Sequence, residues 1–241
     1  MIDWLLKREP VAPQIEVAGR VLPVVLRRNA QARRMTMRLA PDGSAVRITL
    51  PQWSRTAEAL EFARKRAGWI AGQLAAVPEA AELGDGGKVQ FCGEFLTIRH
   101  DPTAPRRVQL DEGELVLGGP LESVPARLKR WFEGEARRLM TADLVHYCAQ
   151  AGQSVPQLLL SSAQRRWGSC ARSGTIRINW RLVMAPAEVR RSVVAHEVAH
   201  LVHFDHSPVF HALLGELFEG DLRAANRWLK RSGRALYLPF G

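Results

Sequence analysis

Cysteine is scarce in this chain. Cys92, Cys148 and Cys170 are the only three in 241 residues. Their number is odd, they lie far apart and no CxxC pair occurs, which argues against a disulfide framework and against a thiolate zinc site. Long apolar runs are also missing. None reaches the roughly 20 residues that a helix needs to span a bilayer, so no membrane partner is expected. The N-terminus, MIDWLLKREPVAPQIEV, opens on a short apolar patch and then turns charged. It lacks the basic start, apolar middle and small-residue cleavage site of a secretion signal, and the expected compartment is the cytoplasm. There is no internal sequence repeat, no low-complexity segment and no block of five or more like charges.

Acidic residues are outnumbered. Asp and Glu total 24 against 34 Lys and Arg, for a net charge of +10. A basic balance of this size admits contact with nucleic acid, a nucleotide or another polyanion. The arginines are spread along an Ala- and Arg-rich chain, so charge alone does not locate such a site. Hydrophobic residues make up 46% and charged residues 24%, a composition that supports a globular fold with a sizeable core.

Residues 15–50 read as strands. Met35, Met37 and Leu39 alternate with polar neighbours, as do Val46, Ile48 and Leu50 after a turn at Asp42-Gly43. Residues 55–76 predict one amphipathic helix, because Leu60, Ala63, Ala67, Ile70 and Leu74 step by three and four; Ser54 or Thr56 is the expected cap. A second strand set is expected at 88–99, 106–110 and 114–118, with a turn at Glu112-Gly113. The stretch GGPLESVP at 118–125 is the best candidate boundary. Beyond it the pattern turns helical over 125–150, with Gly152 as the stop. Short strands at 156–162 and 174–180 follow, then helices near 186–203, 208–218 and 220–231. The expected fold is α+β, with a β-rich region at 1–120 and a mainly helical region at 121–241.

Five of the seven histidines, His196, His200, His203, His206 and His211, fall between residues 196 and 211. His196 and His200 are four apart, so on a helix they project from one face, one turn from each other. Two such imidazoles can converge on one zinc ion. Glu197 lies between them and can hold a zinc-bound water without ligating the metal. The spacing HExxH therefore supplies two ligands and a general base from a single turn.

A third ligand is required. His203 is about 10 Å along a continuing helix from His196, too far to share one small ion. His206 comes within reach if the helix ends near His203 or Phe204. The HExxHxxGxxH pattern of metzincin proteases has the same outer spacing, but here His203 stands in place of its glycine and would have to tolerate a positive φ. Ser207 as cap and Pro208 at the first helical position fit a new helix just beyond. The alternative third ligand is a carboxylate, Glu216 or Glu219, as thermolysin-like enzymes use.

Taken together, RRWGSC at 165–170, INWRL at 178–182, AP at 185–186 and VVAHEVAHLVHFDHSPVF at 193–210 resemble the YgjP-like metallopeptidase family, which is related to SprT-type and minigluzincin-like enzymes. The resemblance implies a zincin-like catalytic region in the second half, with zinc on His196, His200 and His206 and Glu197 as the catalytic glutamate. Some members of that family have been described as UTP pyrophosphatases. RRWGSC and INWRL are expected to form a hairpin near the zinc helix. Its exposed edge could pair with an extended peptide. Arg165, Arg166 or Arg177 could meet a carboxylate or phosphate. Arg166, Trp167, Ser169 and Asn179 are the candidate substrate contacts, although Trp167, Trp180 and Gly168 could equally be wall and turn. Arg166 and His203 are candidates to stabilise an oxyanion.

Three function classes follow. In a zinc peptidase acting on a peptide or protein substrate, the metal activates water and Glu197 moves its proton. A metal-dependent nucleotide pyrophosphatase would use the arginines better. A non-catalytic module would bury its zinc under a fourth ligand, with Asp205, His203 or His211 as candidates.

Overall fold

A computed structural model describes residues 13–75 and 82–240. The opening segment read for a secretion signal, as far as residue 12, and the last residue of the helix expected at 55–76 lie outside the described residues. The described residues form two compact units, one within residues 1–79 and one within 80–240.

The first unit is a four-stranded sheet backed by helix. Strands β1 (Gln14–Val17), β2 (Arg20–Asn29), β3 (Thr36–Leu39) and β4 (Val46–Pro51) stand in the order β1-β2-β4-β3. The β2–β4 pair is parallel and the other two pairs are antiparallel. Met37 lies opposite Ile48, so the expected pairing across Asp42-Gly43 is present. Alternation places Ile15, Val17, Leu22, Val24, Val46, Ile48 and Leu50 on one face. That face packs on Ala59, Ala63, Ile70 and Leu74.

The helical stretch is broken into α1 (Thr56–Arg64) and α2 (Ala67–Ala75). At the break, Arg66 N–H reaches back only three residues, to the Ala63 carbonyl at 3.0 Å. Neither expected cap is used. Arg55 is the N-cap, and its N–H is accepted by the Glu58 carboxylate at 3.1 Å, while Ser54 is buried.

The second unit opens on a sheet of the same design. Strands β5 (Lys88–Phe91), β6 (Glu94–His100), β7 (Gln109–Asp111) and β8 (Glu114–Leu117) stand in the order β5-β6-β8-β7, with a parallel β6–β8 pair between antiparallel ones. The two sheets thus repeat one topology although the sequence shows no repeat. Each opens on a hairpin whose two corner residues have positive φ, Ala18-Gly19 in one and Cys92-Gly93 in the other. What recurs is turn chemistry and alternation, which many different side chains satisfy. The Cys92-Gly93 corner also divides the stretch expected as one strand at 88–99. Its main chain docks elsewhere in the unit: Cys92 N–H donates to Val183 O at 2.8 Å and Gly93 N–H to Met184 O at 3.1 Å.

Helix α3 (Val124–Gln150) starts with a proline in its first turn, and Gly152, at φ 62°, follows its end. Leu128, Phe132, Ala136, Met140, Leu144 and Tyr147 form its fully buried stripe at steps of four and three. They share one core with Val89, Leu96, Ile98, Leu115 and Leu117 of the sheet before it and with Trp180, Val194 and Val198 after it. The boundary expected at 118–125 therefore falls inside the second unit, because the second sheet has no core of its own and completes that of the helices.

A three-stranded sheet of β9 (Leu158–Ser161), β10 (Gly168–Cys170) and β11 (Ile176–Asn179) follows, in the order β10-β11-β9. Then come α4 (Ala187–Val202), α5 (Pro208–Leu217), α6 (Leu222–Ser232) and a closing 3-10 turn at Gly233–Tyr237. The fold is mixed α+β, β-rich through residue 117 and mainly helical after it. Among the described residues, no helix is long and apolar enough to cross a membrane. One buried ion pair ties α3 to α4: Arg190 Nε donates to Asp143 Oδ2 at 2.7 Å, with both side chains at most 10% exposed.

Candidate metal centre

Helix α4 is buried along most of its length, so its polar side chains are placed by packing on either side of them. Val193, Val194, Ala195, Val198 and Ala199 are in the core. His196 and His200 emerge together, half-buried, with their Nε2 atoms 3.2 Å apart. The helix ends at Val202. His203 then turns extended, at φ −126° and ψ 112°, so the positive φ expected of a glycine substitute is not needed. The His203 carbonyl lies 3.0 Å from His200 Nδ1. That contact orients the ring and leaves Nε2 facing His196.

The chain then doubles back and sets His206 Nε2 3.3 Å from His196 Nε2. Ser207 is the N-cap of α5, but its hydroxyl makes no cap bond; instead Asp205 Oδ1 accepts Ser207 N–H at 3.3 Å. Phe210, fully buried in the first turn of α5, lies under all three rings, with centroids 5.0, 4.5 and 4.9 Å from His196, His200 and His206.

This arrangement fits a tetrahedral metal. Imidazole nitrogens at 2.0–2.1 Å from a shared zinc would be separated by about 3.3–3.4 Å. The two closest pairs here match, and one candidate ligand atom from each of the three residues lies within 4.8 Å of the others. Burial pushes His196 down to about 4, helped by the charges of His200 and His206. It is therefore neutral near pH 7, which is the form that ligates.

Glu197, next to His196 in the chain, is only 5% exposed. Burial pushes its carboxyl up to about 7, opposed by the charge of Arg166 and by the main-chain N–H of Cys170. Its Oε2 has no hydrogen-bond partner among the described residues. A buried, unsatisfied carboxylate oxygen beside a ligand cluster is costly unless something charged or protic meets it. Strand β10 lies directly against it. A β-carbon on Gly168 would stand 2.3 Å from Glu197 Oε1, so a larger residue there would have to displace the carboxylate.

β10 and β11 form the expected hairpin, with Gly168 opposite Ile178 and Cys170 opposite Ile176. Trp167 O accepts Asn179 N–H at 2.7 Å and Ala171 N–H donates to Thr175 O at 2.9 Å. By antiparallel alternation the main chain of Ser169 also faces β11, whereas that of Gly168 and Cys170 faces the open edge and Glu197. β10 is the edge strand of its sheet.

The other candidates divide. Arg166 is exposed and close enough to Glu197 to act on its charge. Ser169 is half-buried on the edge strand. Asn179 is engaged within the protein. It is fully buried, its Nδ2 donates to Ala163 O and Tyr237 Oη at 2.9 Å each, and its Oδ1 accepts Arg181 N–H at 3.1 Å. Trp167 packs as wall, 5.7 Å from the Tyr237 ring and against Gly233. Of the alternative ligands, Glu216 is exposed, and Glu219 is engaged by Tyr147 Oη at 3.0 Å and by Arg191. Cys170 is half-buried, with its thiol pushed up by burial and by Glu197, the opposite of a ligating thiolate.

Sequence reasoning did not single out Phe210 or Tyr237. Phe210 carried a weak signal as the fourth residue after His206, on the apolar face of a helix. Tyr237 carried none, since it reaches the site from the far end of the chain.

No curated protein and no solved structure matches the chain. The profile described as YgjP-like, metallopeptidase domain, matches residues 33–232, from β3 to the end of α6. A metallopeptidase family implies a bound metal, and the His196, His200 and His206 cluster is a group able to hold one. The chain belongs to the YgjP-like metallopeptidase family.

Proposed function

We propose that the protein is a zinc peptidase in which His196, His200 and His206 hold the ion and Glu197 is the general base. The observation that carries this reading is the three-histidine cluster on and just after α4, with the buried Glu197 carboxylate between two of its members in sequence and the edge strand β10 alongside. An extended peptide could add to β10 through the outward main-chain groups that Glu197 does not engage. Zinc suits an all-imidazole donor set, whereas a nucleotide pyrophosphatase calls for carboxylate-held Mg²⁺. Among the described residues no fourth side chain joins the cluster, as a closed structural site would need.

The bound zinc would polarise the substrate carbonyl and acidify a water. Glu197 would accept the proton of that water and pass it to the leaving nitrogen. Gly168 lets the strand approach closely enough to hold the carboxylate in place. Arg166 supplies positive charge at the mouth. Three free thiols suit the reducing cytoplasm as its compartment.

The test is proteolysis of an unfolded protein mixture, with new N-termini read by mass spectrometry. Zinc-loaded protein is expected to generate cleavages that vanish with a chelator, return with zinc and are missing in Glu197→Gln. Pyrophosphate release from UTP without any peptide cleavage would overturn the reading.

A further inference from the structure

Away from the metal-binding helix, a trough runs between the β6–β7 connection and the start of α3. It is a cavity of about 660 Å³ lined by Arg106, Arg107, Arg127, Arg130, Pro120 and Trp131, among others. No carboxylate lines it. A second cavity of about 580 Å³ adjoins it, sharing Arg107, Val108 and Trp131. Its two acids are Asp111 and Glu135, and Glu135 is paired with Arg138 at 2.6 Å.

The four arginines do different work. Arg127 builds the trough: its guanidinium donates to Arg106 O, Pro120 O and Ser123 Oγ at 3.0 Å and to Gly118 O, fastening the loop to the helix start. Arg106, Arg107 and Arg130 are exposed, and none makes an ion pair or hydrogen bond with its side chain among the described residues. Three unneutralised guanidinium groups around one concavity repel each other, and an anion in the trough relieves that repulsion. Trp131 is held edge-on against Phe132, with centroids at 5.0 Å, and at a tilt against Phe91, at 5.1 Å. Its remaining surface lines both cavities.

We propose that this trough binds single-stranded nucleic acid, with Arg106, Arg107 and Arg130 on phosphates and Trp131 against a base. Arginines tracking a backbone beside an aromatic platform are what a strand needs for sequence-independent binding. Two joined cavities give room for several nucleotides in line. A duplex offers no free base face to Trp131, and an acidic peptide offers no ring. The inference is independent of the peptidase reading, since none of these residues belongs to the metal centre.

The test is fluorescence anisotropy of a short labelled oligothymidylate with the full-length, zinc-loaded protein across a salt series. Arg106→Ala, Arg107→Ala and Arg130→Ala combined should weaken binding at least about tenfold at low salt. They should also flatten the log–log salt slope by about 2, since each single-strand phosphate contact contributes about 0.7. Trp131→Ala should weaken binding about five- to tenfold and leave the slope unchanged. An abasic strand should bind wild type and Trp131→Ala equally, which a general loss of folding would not produce. Removing the exposed Arg33, Arg34 and Arg38 of the first unit should have little effect. An equal loss in that control, equal binding of duplex or polyglutamate, or undetectable binding at low salt would overturn the proposal.

Discussion

Glu197 and Gly168 compete for one volume: the carboxylate oxygen Oε1 lies 2.3 Å from where a β-carbon on Gly168 would be. The strand and the helix approach this closely only because residue 168 has no side chain. Gly168→Ala should therefore displace the carboxylate while leaving the three imidazoles in place. Displacement of a catalytic group by about 1 Å costs about a hundredfold in rate. The expected outcome is peptide cleavage reduced by at least that factor with zinc content unchanged, measured by turnover and elemental analysis on the same preparation. Full activity in Gly168→Ala would show that Glu197 tolerates movement and does not work from this position.

Ligand assignments separate on metal affinity. His206→Ala should lose most of the zinc affinity, because its Nε2 closes the triad. His203→Ala should keep zinc, since His203 contributes its carbonyl to His200 Nδ1 and that group survives the substitution. Glu216→Ala and Glu219→Ala should also keep zinc, the second because Glu219 serves Tyr147 and Arg191. Competition with a chromogenic chelator measures all four. Metal loss in Glu219→Ala with retention in His206→Ala would place the third ligand on the carboxylate instead.

The Asp143–Arg190 pair makes a prediction about stability alone. Both groups are buried, so removing one leaves the other charged and unpaired. Asp143→Ala should cost about 3–5 kcal/mol of folding free energy. A lower urea midpoint with an unchanged slope is the expected reading. A loss below about 1 kcal/mol would mean that the pair is hydrated, as surface pairs are.

The helix that carries the paired histidines was legible because its spacing is chemical as well as helical. His196 and His200 share a face at four residues, and His206 follows from where such a helix must end. The buried stripe of α3 was legible for the same periodic reason. Division into units was not, because Leu128 and Phe132 complete a core with Ile98 and Leu115 that no local pattern announces. The hairpin corner at Cys92-Gly93 was hidden because a cysteine rarely takes a positive φ, so the stretch reads as unbroken strand. Asn179 looked like a polar group offered to a ligand. Only the arrival of Tyr237 from the end of the chain shows that its amide is already satisfied.

The centre itself is tested most directly by X-ray absorption at the zinc edge on protein purified without a histidine tag. Three imidazole nitrogens and one further light atom, all at about 2.0–2.1 Å, are predicted, with the same spectrum for Glu197→Gln. Scattering from a sulfur at about 2.3 Å, or a shell of four imidazoles, would contradict an open site built on His196, His200 and His206.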